Sequence, residues 1–143
     1  MGEQQSNQSP VALLGAILLY LIAVTLSGCN SNAGPTRYEV EGGVTLNGKP
    51  APNGEIAFQP DTAQQNTGPG AVTTIKNGRF KTLEGKGVSV GPHKVRIIAY
   101  DGIANSESAN GNVLTAKPYE TTVNIPADNS VHNFDVPASH LVK

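Results

Sequence analysis

From Arg37 onward, hydrophobic and polar residues alternate with a period of two, the pattern of a strand that shows one face to a core and the other to water. Tyr38, Val40, Val44 and Leu46 share one face and Glu39, Glu41 and Thr45 the other, which predicts a first strand near residues 38–46. Asn47-Gly48 tolerates positive φ and ends it, and Pro50 and Pro52 oppose both helix and interior strand pairing. A short strand is predicted over 55–59, with Ile56 and Phe58 inward, before a polar loop over 60–70. Residues 71–75 and 79–83 flank Asn77-Gly78 and read as a hairpin, with Phe80 in the core. Over 94–100, Val95, Ile97 and Ala99 alternate with Lys94 and Arg96, while Ile98 and Tyr100 interrupt the polar face and imply a cover at that end. Residues 102–117 form the longest predicted loop, anchored by Ile103, Val113 and Leu114. Tyr119, Thr121, Val123 and Ile125 build another alternating face, Pro126 ends it, and a last strand over 131–136 carries Phe134 and Val136. Six or seven strands with no helical stretch between them predict two antiparallel sheets, each burying one face.

The amino-terminal end follows a different pattern. Residues 11–26 form an uncharged apolar run of sixteen, followed at once by Ser27-Gly28-Cys29. That length is nearer the apolar core of a helical secretory signal than the roughly 20 residues a membrane span needs. Leu26-Ser27-Gly28-Cys29 looks like a bacterial lipobox, in which small residues admit a peptidase and the cysteine thiol receives a diacylglycerol. The expected organisation is a signal peptide over 1–28, a flexible tether over 29–36, a β-sandwich over 37–137 and a tail over 138–143. Other readings of this end are an uncleaved membrane anchor with Cys29 as an ordinary thiol, and a myristoylation site in Met1-Gly2-Glu3-Gln4-Gln5-Ser6. Residues 1–10 lack the Lys or Arg of a typical signal, and a lone cysteine forms no disulfide within its own chain.

Composition narrows the function classes. The 143 residues suffice for one domain, and 16 Gly with 10 Pro suit short strands and turns rather than a helical bundle. The 10 basic and 11 acidic residues give a net charge of −1, so nucleic acid is not an expected partner.

Three segments resemble bacterial lipoproteins that carry a carboxypeptidase-regulatory-like, transthyretin-like domain. They are Val40 through Pro50, then Thr74 through Phe80, then Gly91-Pro92-His93-Lys94-Val95-Arg96-Ile97. The stretch from Lys117 to Thr122, with Asn133-Phe134-Asp135-Val136, resembles the closing strands of the same proteins, so the similarity spans roughly residues 40–136. The resemblance implies a prealbumin-like (Ig-like) sandwich of seven strands acting as an accessory or interaction module. Where the family often has an acidic residue after the Thr of its T-x-x-x-G-x-F segment, this chain has Ile75.

Little in the chain points to catalysis. His93 follows Gly91-Pro92 and reads as a solvated turn residue, His132 as a half-buried edge residue, and His140 as part of a tail. The hydroxyisourate-cleaving transthyretin-like hydrolases end in Tyr-Arg-Gly-Ser, whereas this chain ends Ser139-His140-Leu141-Val142-Lys143. Asp61, Asp101, Asp128 and Asp135 are too far apart in sequence for a loop-built calcium site. No cofactor is expected. Sugars favour flat aromatic faces, and Tyr100 and Tyr119 are the candidates for a carbohydrate or cell-wall contact. The expectation is a non-enzymatic, extracytoplasmic module, bound to a membrane through lipid at Cys29 and meeting an envelope protein through loops or a strand edge.

Overall fold

A computed structural model describes residues 34–143, so the expected signal peptide, Cys29 and most of the expected tether lie outside the described residues. Nine strands follow: β1 (Val40–Leu46), β2 (Lys49–Pro50), β3 (Asn53–Pro60), β4 (Ala71–Lys76), β5 (Arg79–Lys81), β6 (Gly91–Tyr100), β7 (Tyr119–Ile125), β8 (Ser130–Val131) and β9 (Phe134–Val136). Single 3-10 turns occupy Thr62–Gln64 and Ala138–His140. Among the described residues, no helix is long and apolar enough to cross a membrane.

The strands form one hydrogen-bonded path, β2-β1-β5-β4-β3-β6-β7, and every pairing along it is antiparallel. Seven strands thus make a single curled sheet rather than two separate ones. β8 and β9 add a parallel seam along β1, with Val40 opposite Ser130 and Val44 opposite Phe134. The chain crosses from the end of β7 to β1 through residues 126–129 and so runs in the same direction as β1. A period-two pattern carries no information about that direction.

Turn chemistry sets the antiparallel corners. Asn47 and Gly48 take φ of 49° and 79°, and Asn77 and Gly78 take 50° and 74°, the left-handed pair that matches strand twist in a two-residue hairpin. The second turn is bonded to the link between β2 and β3, with the Gly78 N–H donating to Ala51 O at 2.7 Å and the Asn77 N–H to Pro52 O at 2.9 Å.

Inside the curl lie the predicted inward residues Val40, Val44, Leu46, Ile56, Phe58, Phe80, Val95, Ile97, Ala99, Ile125 and Val136, all buried. Phe58 of β3 meets Phe80 of β5 and Phe134 of β9 at centroid distances of 5.8 and 6.2 Å, and the latter two meet at 6.1 Å. Rings from distant parts of the path converge there, so the sheet closes over a shared apolar interior.

The long loop departs from expectation. Leu114 packs against the core, but Ile103 is 70% exposed and Val113 is 46% exposed, so neither anchors it. Polar bonds order the loop instead: Asp101 Oδ1 accepts the N–H groups of Ile103 and Asn112, and Asn105 Oδ1 accepts those of Glu107 and Ser108. The chain end, expected as a tail, docks beside it. Leu141 forms a bridge with Thr115, and the Val142 N–H donates to Leu114 O at 2.9 Å.

Candidate functional site: a cleft between two diverging strands

β4 and β5 leave the Asn77-Gly78 turn as a hairpin but pair only at Lys76 and Arg79. Each strand has a second partner that draws it away. β4 follows β3 from Lys76 opposite Asn53 to Ala71 opposite Phe58, while β5 follows β1 with Arg79, Phe80 and Lys81 opposite Gly43, Gly42 and Glu41. A cleft of about 500 Å³ opens between them. Thr73, Thr74 and Lys76 form one wall and Arg79, Lys81 and Leu83 the other, with Glu41 of β1 and Val131 of β8 beyond β5, and Phe80 lies at the floor, 4% exposed. One bond spans the gap, from the Thr73 hydroxyl to Lys81 O at 2.7 Å. The Lys81 carbonyl therefore faces the cleft.

The charges in the cleft are unevenly matched. Lys81 Nζ lies 3.1 Å from Glu41 and 3.6 Å from Glu39, and the hydrogen bond and charge of Glu41 hold its ammonium protonated to higher pH than an ordinary lysine's. Lys76 and Arg79 make no ion pair among the described residues, although both are exposed and lie directly opposite each other. At the other end, Leu83 is 71% exposed and Val131 is 66% exposed. Lys76 and Arg79 were not singled out in the sequence, yet the signal is there: Lys-Asn-Gly-Arg puts two cations across a two-residue turn.

A second polar group lies at the start of β6. His93, expected as a solvated turn residue, is fully buried inside that strand, where its parity matches Val95, Ile97 and Ala99. Its Nδ1 lies 3.0 Å from Gly91 O, and its Nε2 lies 3.4 Å from Ser89 Oγ. Asn66 Nδ2 donates to Pro92 O at 2.8 Å, and the Ser89 hydroxyl donates to Asn66 Oδ1 at 3.2 Å. Asp61 continues the group. Its carboxylate accepts from Gln64 Nε2 at 2.7 Å and faces Lys94 Nζ at 3.7 Å, and the Gln64 bond, opposed in part by desolvation, pulls its pKa below the ordinary carboxylate range. A Ser–His contact is present, but both residues are buried, with the hydroxyl taken by the Asn66 side chain and the imidazole held beside Gly91 O, so the group ties residues 61–70 onto β6.

The predicted contact residues do not share a surface. Tyr119 stands opposite Ile97 and packs against the core, its ring edge-on to His140 at 5.2 Å, whereas Tyr100 follows buried Ala99 and faces the other side of β6. No single aromatic platform contains both. His132 is half-buried, and desolvation lowers its pKa. Among the described residues, no three His, Cys, Asp or Glu side chains gather as a metal site. β7 borders only β6, so its far edge has no strand neighbour among the described residues. Compared with protein families, curated proteins and solved structures, the chain matches none.

Proposed function

We propose that this chain is a lipid-anchored protein of the cell envelope, facing the periplasm or exterior, whose transthyretin-like β-body acts as a non-enzymatic interaction module. The observation that carries this reading is the Leu26-Ser27-Gly28-Cys29 sequence directly after the apolar run of 11–26. Cleavage before Cys29 and acylation of its thiol leave a short polar tether of small residues ahead of the first strand at Val40. Each buried CH₂ contributes about 0.8 kcal/mol, so one chain binds marginally and two or more hold durably. The transthyretin-like assignment is supported by the resemblance of residues 40–136 together with the curled seven-stranded sheet. A non-catalytic role is supported by His93, whose imidazole is engaged with Ser89 and Gly91 within the fold.

Labelling cells with a clickable fatty acid tests the anchor. The chain takes up label and partitions with membranes, and Cys29→Ser loses the label and becomes soluble. An unlabelled wild-type chain, or a Cys29→Ser chain with unchanged mass and partition, refutes the reading.

A further inference from the structure

We propose that the cleft between β4 and β5 receives an extended acidic segment of a partner protein, which adds to β4 as a strand. This names the partner surface of the interaction module and rests on that reading, though not on acylation at Cys29. Three features of the cleft converge on one ligand chemistry.

The first is backbone. Beyond Lys76 and Arg79 no ladder joins β4 to β5, and the one bond across the gap, from the Thr73 hydroxyl to Lys81 O, gives way to an incoming strand that pairs with the main-chain groups along the cleft side of β4. The second is charge. Lys76 and Arg79 face each other across the hairpin, and like charges directly opposite are destabilising unless a counter-charge sits between them. Lys81 is already neutralised by Glu39 and Glu41, so the unmet positive charge is concentrated at the hairpin end, where a carboxylate would bridge the pair. The third is apolar surface. Leu83 and Val131 stand exposed at the opposite end, above the buried Phe80, and would cover an apolar side chain of the same segment. A basic or neutral peptide would leave the Lys76–Arg79 repulsion in place. The free edge of β7 offers the same backbone groups, but its outward residues Glu120, Thr122 and Asn124 present no cation to select an acidic occupant.

The test uses the full chain in mild detergent and two labelled, end-blocked hexapeptides, one alternating glutamate and valine, the other lysine and valine. The glutamate peptide binds by fluorescence anisotropy, weakens as salt rises, and slows amide exchange over residues 71–75. Lys76→Glu with Arg79→Glu weakens it at least about tenfold, and the milder Lys76→Gln with Arg79→Gln weakens it less, with neither pair lowering the thermal midpoint. Equal binding of the lysine peptide, or protection along β7 instead of β4, overturns the proposal. In-cell crosslinking separates the two levels of the argument. A neighbour captured equally by wild type and the double glutamate variant removes the cleft while keeping the interaction module, and no captured neighbour in either removes both.

Discussion

The Thr45 hydroxyl donates to the Asp135 carboxylate over 2.6 Å, joining residues 90 positions apart. The same carboxylate oxygen accepts the Gly48 N–H at 2.9 Å, so Asp135 fastens β9 to the turn that follows β1. Asp135→Ala and Thr45→Ala should each lower the thermal midpoint by a few degrees, and the double variant should lower it by less than their sum. A double-mutant cycle by thermal unfolding checks this, since groups sharing one bond are not additive.

Acid should loosen the body in two steps. Asp61, Asp101 and Asp135 are each held below the ordinary carboxylate range, chiefly by hydrogen bonds from Gln64, the Ile103 N–H and Thr45 respectively. A lowered folded-state pKa contributes stability that is present above the unfolded value and lost as pH falls through the folded one, so the larger loss comes below about pH 4. His132 is also lowered, by desolvation, so the unfolded chain takes up its proton first and stability begins to decline below about pH 6.5. Urea titrations from pH 7 to pH 2 measure both steps, and His132→Gln should remove only the upper one.

Gly42 is where β1 passes between β8 and β9. A Cβ there would sit 1.8 Å from His132 O, and that backbone is fixed because the His132 N–H donates to Glu41 O at 2.9 Å. Gly42→Ala should cost about 3 kcal/mol or more, through forced displacement of the parallel seam. Gly34→Ala, with nothing within 4 Å, should change stability by less than about 0.5 kcal/mol. Chemical denaturation of the two variants side by side gives the comparison.

Asn66 holds the 61–70 loop to β6 through one end of its amide and to Ser89, ahead of that strand, through the other. Its Nδ2 serves Pro92 O, and its Oδ1 accepts the Ser89 hydroxyl and the Gly68 N–H. Asn66→Ala strands those partners and should cost about 1–3 kcal/mol. Asn66→Asp keeps the acceptor but loses the donor to Pro92 O, so it should also destabilise. Amide exchange should accelerate through residues 61–70 while β1 stays protected.

Asn47-Gly48 and Asn77-Gly78 were legible because left-handed turns demand residues that tolerate positive φ. The inward sets of β1, β3 and β6 were legible because alternation is a direct image of the pleat. His93 was misread because Gly91-Pro92 signals a turn, although the alternation of Val95, Ile97 and Ala99 runs back to it unbroken. Pro92 is accommodated in the strand with its carbonyl taking the Asp61 N–H and the Asn66 amide. The cleft was not legible. Alternation over 71–75 and 79–83 fits a continued hairpin as well as a splayed one, and the choice belongs to β3 and β1, which draw the strands apart. The parallel seam is hidden for a similar reason, since strand direction depends on where the crossover lands.

Phe80 belongs to two structures at once: it is the floor of the cleft and one corner of the ring cluster with Phe58 and Phe134. Phe80→Ala removes a ring from a packed interior and should cost about 3–5 kcal/mol, whereas Phe80→Leu keeps most of the apolar volume and should cost on the order of 1 kcal/mol. If the rings bridge distant parts of the curl, the alanine variant should also speed amide exchange in β3 and β9, which hold the other two rings. Exchange accelerated in β5 alone would mean that Phe80 packs locally and that the curl is closed by the backbone seams rather than by this cluster. Urea midpoints with residue-level exchange on both variants decide between these.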